Sequence, residues 1–60
     1  MDIKAGIRLV KISEKIASGI EMDCNTVIFE EQRKGYILRG TPSQLNVGEN
    51  TYLVLTFEKA

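Results

Sequence analysis

Sixty residues with eight basic and eight acidic side chains, no histidine and one cysteine define a single small domain of zero formal net charge. A chain this short buries only about 60% of the surface its unfolded form exposes, so its core needs a supplement. Cys24 alone excludes an intrachain disulfide and the missing histidines remove the usual zinc ligands, which leaves self-association as that supplement.

From about Ile3, the residues Ile3, Ala5, Ile7 and Leu9 alternate with Asp2, Lys4, Gly6 and Arg8, the period of a half-buried strand. The next window carries two periods at once. Leu9, Ile12, Ile16 and Ile20 match one face of a helix closed by Gly19, whereas Ile16, Ser18, Ile20 and Met22 alternate as a strand would. Two strands joined by a tight connection at Ser13, Glu14 and Lys15 are expected, with a helix near Leu9 to Ser18 packed on a sheet as the α+β alternative. Asp23, Cys24 and Asn25 read as a turn, since Asp and Asn fold onto nearby backbone donors.

Thr26 to Gly40 reads as a hairpin on which the rest is organised. Val27, Ile28 and Phe29 lead in and Tyr36, Ile37 and Leu38 lead out, all but Leu38 β-branched or aromatic. Gln32, Arg33, Lys34 and Gly35 supply a type I turn in which Gly35 takes a left-handed conformation. Thr41, Pro42, Ser43 and Gln44 spell a capping box for one helical turn before Gly48. Gly48, Glu49 and Asn50 then turn the chain into Thr51 to Glu58, where Leu53, Leu55 and Phe57 alternate with Tyr52, Val54, Thr56 and Glu58. No internal repeat, linker or low-complexity segment interrupts the chain, so residues 1–60 are expected to form one cooperative unit.

Four meandering strands, a short helical turn and a final strand give a mostly β fold. In element order it resembles small five-stranded SH3-like barrels, although it lacks the Trp and aromatic-rich acidic loop of peptide-binding SH3 domains. Lys4, Arg8 and Lys11 interrupt the apolar residues near Met1, and no apolar run approaches the roughly 18 residues of a membrane span. No Asn carries Ser or Thr two places on. A soluble cytoplasmic protein is therefore expected, of the compact kind encoded by bacterial or phage genomes.

Catalysis is disfavoured. Cys24 has Asp23 beside it, which raises a thiol pKa instead of activating it, and adjacent Glu30 and Glu31 would point to opposite faces of a strand. No calcium loop, phosphate loop or dinucleotide fingerprint is present, and no cofactor is expected. Protein binding accounts for the apolar surplus, 43% of the chain. Val10, Ile12, Ile28, Ile37, Tyr52 and Val54 fall on the face opposite the expected core and are the candidate partner-binding or oligomer interface. The expected function is a small regulatory or inhibitory interaction module, a homo-oligomer that acts by occupying a protein partner. The competing reading is a nucleic-acid-binding barrel, in which Arg33, Lys34 and Arg39 contact phosphates and Tyr36 stacks on a base. Glu21, Asp23, Glu30 and Glu31 lie just upstream and oppose it, and Arg39 could instead pair with Glu30 or Glu31.

Overall fold

The computed structural model describes residues 5–60, so the expected strand start at Ile3 lies outside the described residues. The elements are β1 (Ala5–Lys11), α1 (Ala17–Arg33), β2 (Tyr36–Leu38), β3 (Ser43–Val47) and β4 (Asn50–Lys59). Sheet predominates and is joined by one helix. The sheet has four antiparallel strands and is open, so the five-stranded closed barrel is not formed.

The long last strand is in place as expected, but it is central and not an edge. β1 runs along one side of β4, pairing Ala5 with Glu58 through Lys11 with Tyr52. β2 and β3 share the other side end to end, β2 against Phe57 to Lys59 and β3 against Asn50 to Val54. Between them the Arg39 amide still donates to the Thr56 carbonyl at 2.8 Å, and Gly40 at φ +69° carries the chain from one to the other. Thr41 to Gln44 therefore forms no helical turn: Pro42 precedes β3 and Gln44 lies within it. The turn at Gly48 and Glu49 holds, as a two-residue hairpin with the positive φ of +60° at its first position, which glycine alone adopts freely.

The expected central hairpin is replaced by the helix. Ile20, Cys24, Val27, Ile28 and Glu31 recur at helical spacing, and Cys24, Val27 and Ile28 pack against the buried cluster. Asp23 to Asn25 sits mid-helix, and the β-branched run at Thr26 to Ile28 is helical because tertiary burial outweighs its local preference. The strand expected at Ile16 to Met22 is likewise the first turns of α1, and the helix starts only at the last two residues of the Leu9 to Ser18 window of the α+β alternative. Its start carries no side-chain cap: Ile16 is the N-cap, so the usual start signal is missing from the sequence. Gly35 does adopt positive φ, +93°, but as the residue that ends the helix, its amide bonded to the Gln32 carbonyl at 3.0 Å.

Opposed residues in an antiparallel pair share a face. Gly6, Arg8 and Val10 on β1 therefore join Phe57, Leu55 and Leu53 beneath the helix, while Ile7, Leu9 and Lys11 turn away with Thr56, Val54 and Tyr52. This inverts the expected phase of β1. The buried core comprises Val10, Leu55 and Phe57, the last two wholly shielded from solvent, with Ile12, Cys24, Val27, Ile28, Tyr36, Leu38 and Leu53 packed around them. So small a core has no redundancy. Leu55→Ala is expected to cost about 2–5 kcal/mol, a large share of total stability, measurable as loss of the cooperative transition in urea followed by circular dichroism.

Candidate functional site

The open face of the sheet gathers most of the exposed large apolar side chains of the described residues. Register places Ile7 and Leu9 of β1, Tyr52 and Val54 of β4, Leu45 and Val47 of β3, and Ile37 of β2 on the side away from α1. Leu9 stands opposite Val54 and Tyr52 opposite Leu45, so an apolar band crosses the sheet diagonally from the β1 edge to the β3 edge. Ile7, Leu9, Ile37, Leu45 and Val47 are between 41 and 66% exposed, and Tyr52 and Val54 are half-buried. Polar groups mark its ends: Lys11 lies at one, and Glu58, ion-paired to Arg39, at the other.

Of the six residues expected to form an interface, Ile37, Tyr52 and Val54 belong to this band. Val10 is in the core, and Ile12 and Ile28 pack against it on the helix side. The alternation of β1 taken alone puts Ile7 and Leu9 in the core and the capping-box residues put Leu45 and Val47 in a helical turn, so these four are not among the expected interface residues. For β3 a signal was present: Leu45 and Val47 alternate with Gln44 and Asn46, the period of a strand.

The cationic set does not gather on one hairpin. Arg33 ends α1, and Lys34, its C-cap, donates to Glu31 at 3.3 Å. Tyr36 packs against the core and Arg39 pairs with Glu58, in place of the Glu30 or Glu31 partner expected for it. Those two carboxylates belong to Arg8, whose guanidinium donates to Glu31 Oε2 at 2.9 Å and Glu30 Oε1 at 3.2 Å. Arg8 thus holds the C-terminal half of α1 to β1. The Glu31 side chain is only 13% exposed and accepts from both Arg8 and Lys34, which offsets the cost of shielding it.

An open cleft of about 560 Å³ beside this clamp is lined by Arg8, Glu30, Arg33 and Lys34. Its cations face Glu30 and Glu31 and the negative end of the helix dipole, so it favours neither an anion nor a cation. Among the described residues, no group of three or more His, Cys, Asp or Glu could hold a metal ion, and no helix is long and apolar enough to cross a membrane. Burial, and secondarily the charge of Asp23, pushes the Cys24 thiol above its ordinary value, with Lys15 opposing. No protein-family model, curated protein sequence or solved structure matches the chain.

Two outcomes follow from these charges. Cys24 is expected to react with a thiol-specific reagent far more slowly in the native protein than in urea, which a colorimetric thiol assay measures. The Glu30 and Glu31 hydrogen bonds raise the Arg8 pKa above its ordinary value. Its contribution to stability is complete below that unfolded value and lost only as pH rises through the still higher folded one. Arg8→Ala should therefore cost on the order of 1 kcal/mol, equally at pH values between about 6 and 10, as read from urea midpoints.

Proposed function

We propose that this chain is a small interaction module of regulatory or inhibitory type, and that it works as a homodimer joined through the open faces of two sheets. The diagonal apolar band carries this reading. Its five exposed aliphatic side chains present on the order of 500 Å², near the top of the range of patches that monomers tolerate. Homodimer interfaces are about 65% apolar, so an apolar centre of that size with its polar rim corresponds to roughly 800 Å² per partner, the standard interface size.

A second copy suits this face better than an unrelated surface. The face is itself pleated and antiparallel, and two such faces pack about 10 Å apart with their side chains interdigitated. A two-fold axis between them makes the contact isologous and closed, which shields the whole band without leaving a free sticky face. Pairing also supplies what the three-residue core lacks. The resulting molecule has four layers, with the two helices outermost and both sheets inside.

The nucleic-acid alternative gains no support from the arrangement, because Lys34 and Arg39 are ion-paired and Tyr36 is packed against the core.

Sedimentation across a dilution series tests the dimer. The wild type is expected at twice the chain mass at micromolar concentration, unchanged by a random single-stranded oligonucleotide. Leu9→Lys and Leu45→Lys lie on exposed positions and should leave the circular dichroism spectrum intact, yet each should weaken dimerisation about 30-fold or more. A wild type that stays monomeric at millimolar concentration would exclude the reading.

A further inference from the structure

We infer that the outer edge of β1 is where this module captures its partner, an extended segment of another protein that adds to the sheet as a fifth strand. This assignment rests on the interaction-module reading, in which a second copy takes the open face and the partner is met elsewhere. The hydrogen-bond phase of β1 fixes what its edge offers. The Ile12 amide donates to the Thr51 carbonyl at 2.8 Å, one place beyond the pairing of Lys11 with Tyr52. Bonded and unbonded pairs alternate in an antiparallel ladder, so Val10, Arg8 and Gly6 bond to β4, while Ile7, Leu9 and Lys11 turn their amides and carbonyls outward. The other side of β4 agrees, since the Thr56 carbonyl serves Arg39 there and leaves Leu53 and Leu55 for β1. The outward residues follow one another at about 7 Å, and among the described residues no strand or other backbone group meets them.

The two edges of the sheet differ. Opposite β1 the edge is divided into β2, of three residues, and β3, of five, with Gly40 and Pro42 between them. Breaks, prolines and short strands are what protect an edge from added strands. β1 has seven residues, no proline and an uninterrupted register, so it carries none of these protections. A row of alternating backbone donors and acceptors is matched by one class of ligand, an extended backbone.

Side chains set which segment fits. On the open face Ile7 and Leu9, 66 and 53% exposed, end the apolar band, so aliphatic residues at every second position of the guest continue it. On the helix side no atom lies within 4 Å of where a Cβ on Gly6 would stand, and Arg8 borders the open cleft, so small polar residues of the guest pass there without a clash. A second copy is the poorer guest. Pairing β1 with itself over all seven residues centres on Arg8, which sets two clamps, each a guanidinium holding two carboxylates, against one another. A shift that separates them leaves at most five pairs.

The test uses a fluorescein-labelled peptide of about nine residues, alternating valine and serine, and the same peptide with every backbone amide methylated. Anisotropy is followed with wild type, Ile7→Pro and Leu45→Lys, alongside amide hydrogen exchange of the wild type by NMR. In the free protein the Ile7 and Leu9 amides are expected to exchange far faster than those of Arg8 and Val10. The unmethylated peptide should bind saturably and slow exchange at Ile7 and Leu9 about tenfold or more, and the methylated one should not bind. Ile7→Pro removes an outward amide and no bond to β4, so it should keep the circular dichroism spectrum and weaken binding about tenfold. The exchange pattern decides the matter on the wild type even if that variant unfolds. Leu45→Lys should leave peptide binding unchanged, so a failed sheet-to-sheet dimer and a failed edge give different results. Equal binding of the methylated peptide, no binding of either, loss of binding with Leu45→Lys, or protection at Gln44 and Asn46 in place of Ile7 and Leu9 would overturn the assignment. So would slow exchange at Ile7 and Leu9 in a free protein sedimenting as four chains, because a copy would then hold the edge.

Discussion

Among the described residues, β1, β2 and β3 each bond to β4 and not to one another, and the rest of the structure depends on that arrangement. β1 occupies one of its sides, while β2 and β3 divide the other. The alternation of β4 then dictates the two surfaces of the sheet. Leu53, Leu55 and Phe57 need a cover and receive the helix; Tyr52 and Val54 point the other way, where no described element covers them. One helix can shield one face of a four-stranded sheet, and the described residues form one helix.

The charged contacts reinforce this plan. Arg8 lies on the helix side of β1, where burial ordinarily selects an apolar residue, and the position is workable because Glu30 and Glu31 reach it from above. Placing Arg8 there turns Ile7 and Leu9 to the outside. The clamp between β1 and the end of α1 and the exposed apolar band are thus two results of one choice of phase. A strand slips its whole set of side chains to the other face when its phase changes, so no intermediate arrangement exists.

How much of this could be read from the sequence varies with how local the cause is. β4 is legible because its alternation is long and uninterrupted, and the turns at Gly35 and Gly48 because positive φ favours glycine. Ile37, Tyr52 and Val54 were legible as surplus apolar positions, since β4 and β2 follow their own alternation. The helix was obscured by three things: an uncapped start at Ile16, a Gly19 that resembles a stop, and a β-branched run at Thr26 to Ile28 that prefers a strand when considered alone. Its inward period of Ile20, Cys24, Val27 and Glu31 was present but includes a cysteine and a glutamate, which dilute the apolar signal. The phase of β1 could not be read from β1, because it is set by carboxylates more than twenty positions away. Thr41 to Gln44 has the residues of a capping box, yet the open side of β4 offers a full ladder of hydrogen bonds where a single helical turn would offer almost none.

The pairing of the first strand with the last has a consequence for how the molecule is made. Ala5 meets Glu58 and Lys11 meets Tyr52, so the ladder that buries Val10 and Leu55 closes over forty to fifty intervening residues. Such distant contacts recover their closure entropy late and slow the search for the native state. On a ribosome adding about 5–20 residues per second, β1 is made first and β4 last among the described strands. The ladder that completes the core therefore forms only after β4 has been synthesised and has cleared the ribosome.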